Sequence, residues 1–142
     1  MSDVAIVRKR LKVAIDQARR DQAERRALLA EATQAYEGFL ESAAIPAFKM
    51  FANVLKSEGV NFEVITPAGG VRLRSERQRD DTITLELDGA ADPPQPMVTV
   101  TRTRGSRVVQ SERPIKGSTP AGQLVEDDVI EMLLEEMRPW LL

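Results

Sequence analysis

The feature that most constrains this chain is a long run with no helix breaker. Residues 3–44 contain no proline and a single glycine, Gly38, and the first proline is Pro46. The run is rich in Ala, Arg, Glu, Leu and Gln, all good helix formers. Ser2 or Asp3 stands where an N-cap is needed. Pro46 is expected to end or kink the helix, because its ring clashes one turn back and it has no N–H to donate. A helix of about 40 residues is roughly 60 Å long. That exceeds what a domain built from the rest of the chain can cover, so the N-terminal half should project.

Apolar residues on this run recur at Val4, Val7, Leu11, Ala14 and Ala18, the spacing of a coiled-coil seam. They resume at Leu28, Ala32, Tyr36, Phe39 and Ala43, where packing on the core is expected. Between the two groups lies the polar stretch RRDQAERR, residues 19–26.

Beyond Pro46 a second helix fits Pro46 to Glu58. Phe48, Phe51, Val54 and Leu55 form its apolar stripe, and Gly59 is its stop. The period then falls from 3.6 to 2. Alternating segments at 60–66, 71–75, 82–88, 97–103 and 108–113 read as five strands joined by short polar links. Such alternation implies an antiparallel meander with one dry and one wet face. A last helix spans 124–141, with Val129, Leu133, Met137 and Trp140 on its apolar side. The expected fold is α+β. It is a single domain, 1–142, with a projecting N-terminal helix (about 3–44) and a compact core (about 46–142). The 46–58 helix and the C-terminal helix should cover the dry face. No internal repeat is present.

The 142 residues include neither cysteine nor histidine. Disulfides, thiolate zinc sites, serine–histidine triads and histidine acid–base steps are thereby excluded within the chain. No carboxylate pair has the spacing of an acid–base couple, so we expect no catalytic residue, no metal site and no cofactor. The N-terminus lacks a secretory pattern and no apolar run approaches a membrane span. The expectation is a soluble, cytoplasmic protein that does not engage a membrane.

Three charged groups remain. Arg72, Arg74, Arg77 and Arg79 fall within eight residues. Arg72 and Arg74 alternate with Val71 and Leu73 and should point to the wet face. Arg102 is expected there too, with Arg104 and Arg107 beside a turn. Such a face could grip phosphates or carboxylates through guanidinium forks. Yet residues 71–113 carry eight arginines against seven acids and no aromatic residue to stack a base. A solvated face, ion-paired to Glu63, Glu86 and Glu112, fits better. The N-terminal helix carries eight basic residues against four acidic ones over residues 1–26. The i,i+4 pairs Lys12–Asp16, Asp16–Arg20 and Asp21–Arg25 suggest a self-compensated exterior. The C-terminal helix is acidic, with Asp128, Glu131 and Glu135 on one side expected to face water. IKGSTPAG (115–122) lacks the order of a phosphate-binding P-loop.

These features point to a non-enzymatic assembly or protein-binding module: an adaptor, a small chaperone or a subunit of a larger complex. It should oligomerise, as a dimer first, through Val4, Val7, Leu11, Ala14 and Ala18. The alternative is a nucleic-acid-binding protein using Arg8, Arg19 and Arg26 with Arg72, Arg74, Arg77 and Arg79.

Overall fold

The computed structural model describes residues 3–141. Helix α1 runs from Val4 to Phe39, 36 residues and about 54 Å at 1.5 Å per residue. Asp3 caps it by accepting a hydrogen bond from the Ala5 N–H at 3.0 Å; Ser2, the other candidate cap, lies outside the described residues. The helix does not stop before Pro46. A π-helical turn, Leu40–Ala44, leads straight into α2, Ile45–Ser57. The turn passes hydrogen bonding back one residue further, with the Ile45 N–H donating to the Leu40 carbonyl. Pro46 then falls in the first turn of α2, where a missing N–H costs least. A widened turn of this kind is one of the few ways a helical path accommodates proline.

Strands β1 (Phe62–Ile65), β2 (Gly70–Ser75), β3 (Thr82–Asp88), β4 (Gln95–Arg104) and β5 (Arg107–Pro114) form one antiparallel sheet in the order β1-β2-β3-β4-β5. The expected meander is therefore present. Its register opposes Leu73 to Ile83, Val71 to Leu85, Ile83 to Val100 and Leu85 to Val98. All six of these side chains are buried. Helix α3 (Glu126–Leu141) follows a loop and the short 3₁₀ turn Ala121–Gln123. It brings Val129, Met132, Leu133 and Met137 into the core, while α2 contributes Phe48, Phe51, Ala52 and Leu55. The Phe62 and Trp140 rings meet at 5.4 Å between centroids. Where β2 begins, its backbone runs close against β3. A Cβ on Gly70 would sit 2.6 Å from the Leu85 carbonyl oxygen, so that position admits only glycine without a shift.

Two expectations about facing need correction. Arg102 was placed on the wet face with Arg72 and Arg74. It lies instead on the dry side, reaching α3. The reason is the period of the strand: Val98, Val100 and Arg102 are two residues apart and must share a face. Leu28 was expected to pack on the core, but it is 56 % exposed, and Leu29 is exposed as well. The first buried residue of α1 is Tyr36.

Candidate functional site

Every residue from Asp3 to Glu31 is exposed. The free part of α1 still carries large apolar side chains. Val4 is 71 % exposed, Val7 50 % and Leu11 57 %; Ile6, Val13 and Ile15 are exposed too. Residues eighteen apart on an α-helix are five full turns apart and lie on one line. Ala18 therefore lies in line with Tyr36, Ala14 with Ala32, and Leu11 with Leu29. Tyr36 and Ala32 face the body of the domain, with Tyr36 buried and Ala32 partly so. The seam Val4, Val7, Leu11, Ala14 and Ala18 thus continues the core-facing line of the same helix outward, past the point where the domain can cover it. Ile15 sits at its edge.

Two clefts mark where that line meets the body. One, of about 370 Å³, lies between Arg25, Arg26, Leu28 and Leu29 of α1 and the Gly89–Asp92 loop with Pro94. The other, of about 700 Å³, adjoins it on the far side of Leu28, between Ala32 and Ala35 and the loops bearing Pro93 and Pro120. The Gly89 loop closes on α1 at this level, a Cβ on Gly89 lying 3.3 Å from a Leu29 methyl.

The basic residues of α1 behave differently from the expected self-compensation. Among the described residues, none of the pairs Lys12–Asp16, Asp16–Arg20 and Asp21–Arg25 closes to an ion pair. Asp21 instead accepts from Gln17 Nε2 at 2.9 Å. Arg8, Arg19 and Arg26 are all exposed, and so are the other basic residues of the segment.

The wet sheet face is a set of short local pairings. Arg74 donates to Glu63, its cross-strand neighbour, through Nε at 2.9 Å and Nη2 at 2.5 Å. Arg72 Nε donates to Thr84 Oγ1 at 3.0 Å, again directly across the ladder. Glu86 and Glu112, also named as arginine partners, form no ion pair among the described residues. Arg77 and Arg79 lie outside the strands, in the exposed β2–β3 link. A shallow depression of about 330 Å³ opens between Arg72, Arg79, Thr84, Thr101 and Gln110. The four arginines therefore do not converge on one point.

A second polar cluster lies on the opposite face. Arg102 Nη2 donates to the Glu136 carbonyl at 2.6 Å and to its carboxylate at 2.7 Å, and the guanidinium carbon stands 5.0 Å from the centre of the Trp140 ring. Arg113 donates to Glu135 at 2.6 Å and to the Ile115 carbonyl at 3.2 Å. Burial lowers the Arg113 pKa, but the hydrogen bonds it donates to the Glu135 and Glu136 carboxylates, and their charge, outweigh it and leave the pKa raised. Glu135 stays 57 % exposed, as expected of a water-facing residue, whereas Asp128, expected to face water too, is only 13 % exposed. Asp128 accepts from the Val125 N–H at 2.9 Å, tying down the start of α3, and pairs with Lys116 at 3.4 Å. Nothing local in the sequence marks Glu136 or Arg113 beyond their places on a helix and a strand; for Arg102 the available signal is its parity with Val98 and Val100. These residues fasten α3 to β4 and β5.

Tyr36 has a similar fastening role. Its hydroxyl donates to the Gly69 carbonyl at 2.9 Å, and burial, assisted by the nearby Glu86 charge, raises its pKa well above the ordinary 10.0. Among the described residues no group of three or more Asp or Glu side chains is placed to hold a metal ion, and no helix is long and apolar enough to cross a membrane. Comparison of the chain with protein-family models, curated proteins and solved structures gives no match.

Proposed function

We propose that this protein is a non-enzymatic assembly module that self-associates through the free part of α1. The observation that carries this reading is the exposure of Val4, Val7 and Leu11, at 71 %, 50 % and 57 %, along one side of a helix that nothing else among the described residues covers. An isolated helix owes most of its stability to packing of its apolar face. A 3.5-residue apolar repeat is the pattern by which helices cover one another. A second copy supplies the same stripe, and two-fold dimers are the commonest soluble oligomers. The core, tied by Tyr36, Arg102 and Arg113, then acts as the body that each helix carries into the assembly. Light scattering at micromolar concentration tests this. The full chain should have at least twice the mass of one copy, and Leu11→Glu should reduce it to one. A monomeric full chain overturns the reading.

A second reading is supported by the open charges of α1, eight basic residues with no ion-pair partner among the described residues. Arg8, Arg19 and Arg26 would then contact nucleic-acid phosphates. Binding to duplex DNA or RNA that weakens steeply with added salt would favour it. Engagement of Arg72 and Arg74 by Thr84 and Glu63 leaves the sheet a smaller part in such binding.

A further inference from the structure

Resting on that self-association, we infer its geometry: two α1 helices pair antiparallel, with the two-fold axis near Asp16 and Val4 of each copy opposite Leu28 of the other. In the heptad frame of Val4, Val7, Leu11, Ala14 and Ala18, the next two seam positions are Asp21 and Arg25, followed by Leu28. A parallel pair in register would set Asp21 against Asp21 and Arg25 against Arg25, like charges facing inside the contact. The antiparallel pair removes both clashes. Leu11 then meets Asp21, Val7 meets Arg25, and Ala14 meets Ala18 in two small layers that let the helices approach closely.

The flanking positions agree. Arg10 of each copy falls beside Glu24 of the other, giving two opposite-charge pairs. Ile15, which belongs to no seam layer and is 41 % exposed in the single chain, meets its own counterpart across the axis. In a parallel pair Arg10 would face Ile15 instead. At Arg10 and Glu24, and at the two charged seam positions, α1 thus suits a reversed copy of itself better than an aligned one.

The body of the domain sets the register. A partner helix travelling along the seam reaches the loop of Gly89 to Pro94, which closes over α1 at Leu28 and Leu29. It can go no farther. Val4 beside Leu28 therefore uses the whole free length, about 36 Å of helix, and brings the partner's tip into the 370 Å³ cleft. A shift of one heptad toward the tips would shorten the overlap, leave Leu28 bare and separate Arg10 from Glu24.

The chain has no cysteine, so introduced thiols report on this arrangement without background. Disulfides require Cα atoms within about 7 Å. In the antiparallel pair the two Leu11 positions are about 15 Å apart along the axis. A mixture of Leu11→Cys and Asp21→Cys chains should give a covalent dimer on mild oxidation, while Leu11→Cys alone should not. Arg10→Glu should weaken dimerisation about tenfold, and adding Glu24→Arg to it should restore it. Cross-linking of Leu11→Cys with itself, or failure of the double charge swap to rescue a chain that still dimerises as wild type, overturns the geometry and leaves self-association standing. A chain that is monomeric by light scattering overturns both.

Discussion

Arg102 and Glu136 are joined twice, the Arg102 Nη2 donating both to the backbone carbonyl of Glu136 at 2.6 Å and to its carboxylate at 2.7 Å. Both side chains are largely buried, at 16 % and 18 % exposed. A strand residue thereby holds a helix by its backbone and by its charge together. Trp140 covers the guanidinium from above. Removing the Glu136 carboxylate leaves the desolvated guanidinium its bond to the backbone carbonyl but no counter-charge. Glu136→Ala is expected to lower the unfolding free energy by about 3 kcal/mol, within the range for breaking a buried pair, as measured by urea denaturation. A loss below about 1 kcal/mol, the level of a surface pair, would show that the contact is exchangeable with water.

The wet-face arginines should behave in the opposite way. Arg74 and Glu63 are 29 % and 42 % exposed at the side chain, where screening leaves little net energy. The double change Arg72→Ser with Arg74→Ser should shift stability by less than about 1 kcal/mol. It should also leave the mass in solution unchanged. A folded double variant that loses a copurifying partner would identify this face as a working surface.

Facing within β3 separates two adjacent residues. Leu85 is fully buried on the dry side, between Val71 and Val98. Leu85→Ala should cost about 2–5 kcal/mol, the range for large-to-small changes in a packed core. Thr84, only 7 % exposed, is covered on the other face by Arg72, to which its hydroxyl accepts a hydrogen bond. Thr84→Val keeps the volume and removes that acceptor, so its cost should stay near 1 kcal/mol. Parallel denaturation curves of the two variants check the order, and a larger loss for Thr84→Val would invert it.

Tyr36 is the single tyrosine of the chain, so the phenolate absorbance of the folded protein reports on it alone. Its pKa is raised in the fold by burial and then by Glu86. For an acid whose pKa rises on folding, the unfolded state loses the proton first. The stability this group contributes is full below the ordinary pKa of 10.0 and falls as pH climbs above it toward the folded value. The native chain should show no phenolate step near pH 10.0, whereas the chain unfolded in guanidinium should. Tyr36→Phe should remove the extra alkaline sensitivity and cost about 1 kcal/mol through the lost bond to Gly69.

Much of the architecture was legible because it rests on local periodicity. The absence of proline and near-absence of glycine from 3 to 44 specify a long helix, whichever domain it joins. Alternation in VRLRS and TITLELD specifies strands and the inward facing of Leu73 and Leu85, since a pleated strand turns each successive side chain to the other face. The same rule, followed along β4, assigns Arg102 to the side of Val98 and Val100. The projecting stripe of α1 was legible for the same reason, its spacing belonging to the helix alone.

What only the tertiary structure decided are the relationships between distant segments. That Pro46 sits past a π turn in a continuing helical path depends on how Tyr36, Phe39 and Leu40 dock on the sheet, and no local propensity carries that information. Glu136 as the partner of Arg102, 34 residues away, follows from the placement of α3 over β4, which is set by core packing around Met132, Leu133 and Met137. The level at which α1 leaves the domain is likewise a matter of reach. The Gly89 loop closes at Leu29 and the helix is bare beyond it, because the body is shorter than the helix and apolar surface can be covered only where there is matter to cover it.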